Sequence, residues 1–315
     1  MKPSSAGFIA YDLRPSKQAE RRILLDFLKC ANEAGITISD CRYVGMGGTK
    51  FYDFHLMYRF LGLKNTVSLE RDPGIHKRAE FNCPYKFVKV EQKTVAEFLA
   101  YDLIKTPTIY WLDYDDGVSQ EITADIISLG TKITVGGFAF VTVYANPPGV
   151  LNGQNTGERL EYFHKNFGDF SIGLTIEDME NVNFPTTVYR ILMAAFKNAF
   201  AARSDGKFHV FFRIQYQDTS PMITVGGCFC TEEHRRVIEK RIKTDLPFLL
   251  TGCPYKIRNL TLTERERSLF DVAVTDRRAN SRHAKSLRAL GFRPKDFETY
   301  RDLIRFLPRY HESII

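Results

Sequence analysis

The tightest constraint on what this chain can fold into is the run Tyr43-Val44-Gly45-Met46-Gly47-Gly48, a glycine-rich turn directly after a short apolar segment. Without Cβ atoms, a backbone at such a turn can pass close to whatever lies against it. The next apolar run, Thr66-Val67-Ser68-Leu69, ends on Glu70, 25 residues beyond Gly45. A glycine turn followed about 20 residues later by a carboxylate can set a backbone against a nucleotide and a carboxylate against its ribose hydroxyls. The same glycines also suit a plain tight turn, so the segments that follow must carry the decision.

Those segments alternate. After Arg14-Pro15, the stretch from Ser16 carries Ala19, Ile23, Leu24, Phe27, Leu28 and Ala31 at helical spacing, and Gly35 ends it. Short strands are expected at Cys41–Val44, Thr66–Glu70, Lys86–Val90, Thr108–Asp113 and Gly137–Tyr144, with helices between them at residues 51–60, 76–82, 94–102 and 120–130. Such alternation implies right-handed βαβ units and a parallel sheet covered on both faces. Residues 150–180 read as a loop or lid with short helices around Arg159–Phe167. A helix from Thr186 to Ala202 then precedes two strands, Phe208–Tyr216 and Met222–Cys230, joined by a polar turn. The expected architecture is α/β: a Rossmann-like domain over residues 1–230, with parallel strands, a C-terminal antiparallel hairpin and an N-terminal helix, followed by a mainly helical extension over 231–315.

Composition narrows the function classes. No run reaches the roughly 18 apolar residues of a membrane span, and the polar start lacks a signal-peptide core, so a cytoplasmic protein is expected. Six cysteines are scattered without a CxxC pair, which argues against structural zinc and against a disulfide scaffold. Cys228 and Cys230 flank Phe229 in a strand and should share one face. Of the net charge of +7, residues 251–315 supply +6, with 14 Lys and Arg against 8 Asp and Glu. Arg278, Arg282 and Lys285 fall at i, i+4 and i+7 on one helical face, and Arg301, Arg305 and Arg309 fall at i, i+4 and i+8. Such rows suit phosphate contacts, so an anionic partner, nucleic acid included, is expected there.

In an open α/β sheet, ligands bind beyond the carboxyl ends of the strands. Gly45 to Gly48, Glu70, Asp113 to Asp116 and Asn146 all fall at such ends. On these residues and this strand order, the chain resembles a class I S-adenosylmethionine-dependent methyltransferase over roughly residues 40–230. It is also similar to uncharacterised prokaryotic proteins assigned to O-methylation that begin with an Arg-Pro-x-Lys-x-x-Glu-Arg element, here Arg14 to Arg21. The resemblance implies an S-adenosylmethionine cofactor, with Gly45 and Gly47 against its methionine part, Glu70 on the ribose and Glu91 or Gln92 facing the adenine. It also places Asp113, and after it Tyr114, near the transferred methyl. One departure stands out: Tyr43 occupies the position, two before the first glycine, where such enzymes carry an acid.

The acidic run Asp113-Tyr114-Asp115-Asp116 needs a cation, a basic partner or full hydration. Similarity to divalent-metal O-methyltransferases implies magnesium on Asp113 and Asn146, although Ala145 replaces the aspartate expected between them. Asn146-Pro147-Pro148-Gly149 is similar to the Asn-Pro-Pro-aromatic motif of adenine amino-methyltransferases, but it follows the wrong strand and Gly149 replaces the aromatic. His55 and His76 are candidate bases near the glycine turn. The leading expectation is methyl transfer to an oxygen or nitrogen nucleophile. The alternative is a catalytically silent Rossmann-like module that binds a nucleotide or nucleic acid, in the setting of prokaryotic antiviral defence.

Overall fold

The computed structural model describes residues 14–103, 106–276 and 282–308. Pro15–Asn32 forms α1, whose first turn is capped from a distance: the Asp218 carboxylate accepts the backbone N–H groups of Ser16 (2.9 Å) and Lys17 (3.0 Å). The strands Arg42–Gly45 (β1), Thr66–Leu69 (β2), Val88–Glu91 (β3), Thr108–Gly117 (β4) and Gly137–Tyr144 (β5) follow. Between them lie Tyr52–Leu61 (α2), Pro73–Asn82 (α3), Val95–Tyr101 (α4) and Gln120–Lys132 (α5). Thr156–Phe167 (α6) and Phe184–Ala199 (α7) lead into the long hairpin Lys207–Gln217 (β6) and Pro221–Cys230 (β7). Glu232–Asp245 (α8), Tyr255–Lys256 (β8), Glu264–Thr275 (α9), Arg282–Ala289 (α10) and Pro294–Leu303 (α11) complete the described chain.

The strands form one sheet in the order β3-β2-β1-β4-β5-β7-β6-β8. Strands β1 to β5 are mutually parallel, and β7 runs antiparallel to both β5 and β6. This is the mostly parallel, Rossmann-like sheet with an antiparallel hairpin near its end that the order of elements predicts. Chain order reverses between β1 and β4, so their carboxyl ends open the crevice where such sheets bind ligands.

Each face of the sheet buries its own core. On one side, Phe27 of α1 sits among Phe138, Phe140, Phe211 and Phe212, with Tyr43 and Trp111 in the same cluster. Cys228 and Cys230 share that face, as the period-2 spacing requires. On the other, α4 to α7 cover Val44, Leu69, Leu112 and Val141. Helices α5 and α7 touch at Gly130, where a Cβ would stand 2.0 Å from the Ala199 carbonyl oxygen; any side chain there forces them apart.

Several elements differ from the sequence reading. Strand β3 starts at Val88 rather than Lys86. Strand β4 continues past Asp113 to Gly117, because Gly117 still pairs with Tyr144 across a register shift that bulges the acidic run outward. In the C-terminal region, β8 adds a parallel strand to β6 at Ile214 and Gln215, and α8 packs on α1. Helices α9 to α11 enclose a small core of their own around Phe270, Leu287 and Phe297. Among the described residues no helix is long and apolar enough to cross a membrane.

Candidate active site

The first turn of α1 buries its charges. Lys17, Glu20 and Arg21 continue the spacing of Leu24, Phe27 and Leu28 along the helix face that lies on the sheet, and all three are at most 3% exposed. The Lys17 ammonium lies 2.8 Å from Glu20 and 2.8 Å from Asp113, the last residue of β4 before its register shift. It also stands 4.9 Å from the ring centre of Trp111 and 5.4 Å from that of Tyr216. Burial opposes the charge on Lys17, but the Asp113 and Glu20 carboxylates outweigh it and hold its pKa well above the usual lysine value. Burial pushes Glu20 up against the pull of Lys17.

A hydrogen-bond chain ties this group to the hairpin. The Trp111 indole N–H donates to Thr142 (3.1 Å), Thr142 and Thr224 share a bond of 2.8 Å, and the Thr224 hydroxyl donates to Glu20. Since Thr224 gives its proton to Glu20, Thr142 must donate to Thr224, and both threonine hydroxyls are satisfied. Beside it, Arg21 holds Asp53 at the start of α2 at 2.5 Å and stacks over the Tyr52 ring.

The glycine turn lies next to this network. Tyr43 is fully buried, 4.9 Å from Phe54 between ring centres, and its hydroxyl occupies the space beneath Gly45. A Cβ on Gly45 would meet it at 2.5 Å. Burial, with Asp53 and Asp113 nearby, raises the Tyr43 phenol well above its usual pKa, so it remains protonated. A Cβ on Gly47 would meet Ser68 Oγ at 2.7 Å, the atom that accepts the Gly47 N–H at 3.0 Å. Phe51 closes the turn at φ +49°, the one non-glycine residue with positive φ among those described. Its buried ring, packed on Phe54, offsets a strain of about 1–2 kcal/mol.

Glu70 stands half-buried just past β2. Burial, with the Asp72 and Asp115 carboxylates adding to it and the Asp72 N–H opposing, pushes its pKa up to about 7. Glu91 at the end of β3 is paired with Lys93 at 2.7 Å, and Gln92 is exposed beside it. Tyr114 points to the opposite face from Lys17, where its hydroxyl donates to Asp125 of α5 at 2.6 Å. Asn146 is exposed in the loop after β5. His55 bonds the Tyr85 hydroxyl at 2.9 Å, and burial together with Arg59 lowers its pKa. His76 lies 3.6 Å from Glu80. Arg282 and Lys285 are exposed on α10, while Arg278 and Arg309 lie outside the described residues.

The donor set does not suit magnesium. The carboxylate of Asp113 already faces a buried ammonium, Ala145 offers no ligand, and among the described residues no three His, Cys, Asp or Glu side chains are grouped to hold a metal. The donor set does suit a ribose: a half-buried carboxylate with an elevated pKa lacks strong donors, and two adjacent hydroxyls would supply them.

A family model described as "Putative O-methyltransferase" matches residues 9–315. The chain belongs to that family. Among solved structures, it is similar to the N-methyltransferase NodS from Bradyrhizobium japonicum in complex with S-adenosyl-L-homocysteine, at 10% identity over 70% of this chain and 90% of that one, with a TM-score of 0.39. It is likewise similar to an rRNA methylase from Streptococcus thermophilus, at 13% identity over 66% of this chain and 95% of that one, with a TM-score of 0.36. No curated protein matches it. Lys17, Glu20 and Arg21 are the Lys, Glu and Arg of the Arg-Pro-x-Lys-x-x-Glu-Arg element, to which the sequence reading gave no role at the site, and Asp53 was not singled out at all. The available signal was in the spacing: charged residues continue the apolar stripe of α1 into its first turn.

Proposed function

We propose that the protein is an S-adenosylmethionine-dependent methyltransferase acting on an oxygen nucleophile. The observation that carries the reading is Glu70: a half-buried carboxylate with its pKa raised to about 7, one strand away from the glycine turn of β1. In this reading Glu70 accepts the ribose hydroxyls, the backbone at Gly45 and Gly47 borders the methionine part, and Glu91 and Gln92 border the adenine. Bound there, the sulfonium supplies an activated methyl group, so the protein contributes mainly positioning.

Asp113 is the side chain nearest the acceptor in this scheme, and it takes the proton that a hydroxyl gives up. Lys17, 2.8 Å behind it, fixes the carboxylate and offsets its charge. The ammonium favours oxygen over nitrogen as acceptor, because an N-methylated product carrying a positive charge would lie beside a buried cation. Calorimetric titration with S-adenosylmethionine and with its demethylated product, repeated on Glu70→Ala, tests the reading. Micromolar binding that the variant loses is the expected result, and no heat from either ligand refutes it.

A second reading is supported by the exposed cations Arg282 and Lys285 on α10. In it, the basic C-terminal region engages an anionic partner such as nucleic acid, whether or not methyl transfer is retained. Charge reversal of both should then abolish salt-sensitive binding to a single-stranded oligonucleotide and leave cofactor affinity unchanged.

A further inference from the structure

At the far edge of the sheet, three strands from β4 and so about 14 Å away, a second cavity opens that the methyltransferase reading does not use. It measures about 800 Å³ and lies between α7, the outer edge of β6 and the turn Pro247–Leu250. Strand β8 pairs with β6 only at Ile214 and Gln215, so the rest of that edge, Lys207 to Arg213, faces the cavity. One wall is apolar: Phe208 stacks between Phe196 (4.9 Å) and Phe200 (4.5 Å), with Met193 in the same cluster.

The polar wall is cationic and unsatisfied. Arg213 is half-buried, forms no hydrogen bond or ion pair among the described residues, and its Nε is sealed from solvent. His209 Nε2 is likewise buried without a partner. Burial and the nearby Arg235 lower the His209 pKa, so the ring is neutral near pH 7 and able to donate from Nε2. Lys197 and Lys207 stand exposed at the mouth. Glu239, the one carboxylate lining the cavity among the described residues, is held by Arg235 at 2.5 Å. An Nε–H sealed from solvent without an acceptor is costly, and an oxyanion that reached the guanidinium would satisfy it.

We propose that this cavity binds an oxyanion, phosphate or carboxylate, carried on an apolar body, with Arg213 as its anchor. Phosphate and carboxylate both match the two-pronged donor face of a guanidinium. The phenylalanine stack accounts for the apolar part, and the lysines at the mouth draw the charge in. The ligand is a small amphipathic anion, distinct from the sulfonium cofactor in charge and in place.

Two-dimensional amide and Arg Nε–Hε NMR on the full chain tests this, with phenyl phosphate, phenylacetate and inorganic phosphate as probes. Saturable shifts at residues 207–213 and at Arg213 Nε–Hε are expected from phenyl phosphate or phenylacetate, with inorganic phosphate at least tenfold weaker. Arg213→Met should weaken that binding at least tenfold and leave the unfolding temperature equal or higher. No saturable shift from any probe, equal affinity in Arg213→Met, or a drop of several degrees in its unfolding temperature would each overturn the proposal. Titration of Arg213→Met with S-adenosylmethionine keeps the two sites separate, because cofactor binding should match that of the unaltered chain.

Discussion

The ammonium of Lys17 and the carboxylate of Asp113 meet at 2.8 Å, joining the first turn of the N-terminal helix to the fourth strand across 96 residues of sequence. Lys17 also neutralises Glu20, so one buried cation serves two carboxylates. Removing it leaves both uncompensated in a dry site, which is far more costly than never having built the pair.

Lys17→Met should therefore lower stability by about 3–5 kcal/mol, and adding Glu20→Gln should recover part of the loss. Urea unfolding of the two variants measures this, and a loss below about 1 kcal/mol would show the network to be hydrated rather than buried. The alkaline limb gives the sign. The folded pKa of Lys17 lies above the unfolded value of about 10.4, so its contribution is complete below that pH and is lost as pH rises through the folded value. Lys17→Met should lack that part of the alkaline decline.

Glu70 titrates with the opposite consequence. Its folded pKa of about 7 exceeds the unfolded value of about 4.3, so between those values the folded chain holds a proton that the unfolded chain has lost, and stability falls as pH rises. Glu70→Gln should raise the unfolding temperature at pH 8 and leave it unchanged at pH 4. The same variant should bind S-adenosylmethionine roughly 10–100-fold more weakly, the worth of hydrogen bonds to a charged acceptor. A variant more stable at pH 8 but unaltered in binding would place the cofactor elsewhere.

Gly45 is a glycine because Tyr43 lies against it. Gly45→Ala should cost about 1–3 kcal/mol through overpacking on the tyrosine ring. In a Tyr43→Val background the same change should cost much less, giving a coupling energy above about 0.5 kcal/mol in a double-mutant cycle. Simple additivity would mean that the turn, and not the tyrosine, demands the glycine.

With Lys17 where a metal ligand set would need open space, excess EDTA should leave cofactor affinity and methyl transfer unchanged. A tenfold loss restored by magnesium would return Asp113 and Asn146 to the metal-ligand role that similarity to the divalent-metal enzymes implies.

Sequence periodicity alone determined the layered α/β sheet, because helix and strand repeats are local and each segment carries its own pattern. The glycine turn and the placement of Glu70 at the end of a strand were legible for the same reason, and so was the shared face of Cys228 and Cys230. What only the tertiary structure decided is what the charges do. Lys17, Glu20 and Arg21 stand in the sequence as members of the Arg-Pro-x-Lys-x-x-Glu-Arg element with no partner assigned, but the hairpin cap from Asp218 and the sheet beneath bury them, Lys17 against Asp113 and Glu20 against Thr224. Tyr43 reads along the chain only as a departure from the acid expected at that position, yet in space its hydroxyl fills the room under Gly45. Arg213 reads as an ordinary strand residue, and only the fold shows its Nε buried without a hydrogen-bond partner among the described residues. Burial and ion pairing depend on residues tens to hundreds of positions apart, and no local pattern records which of them meet.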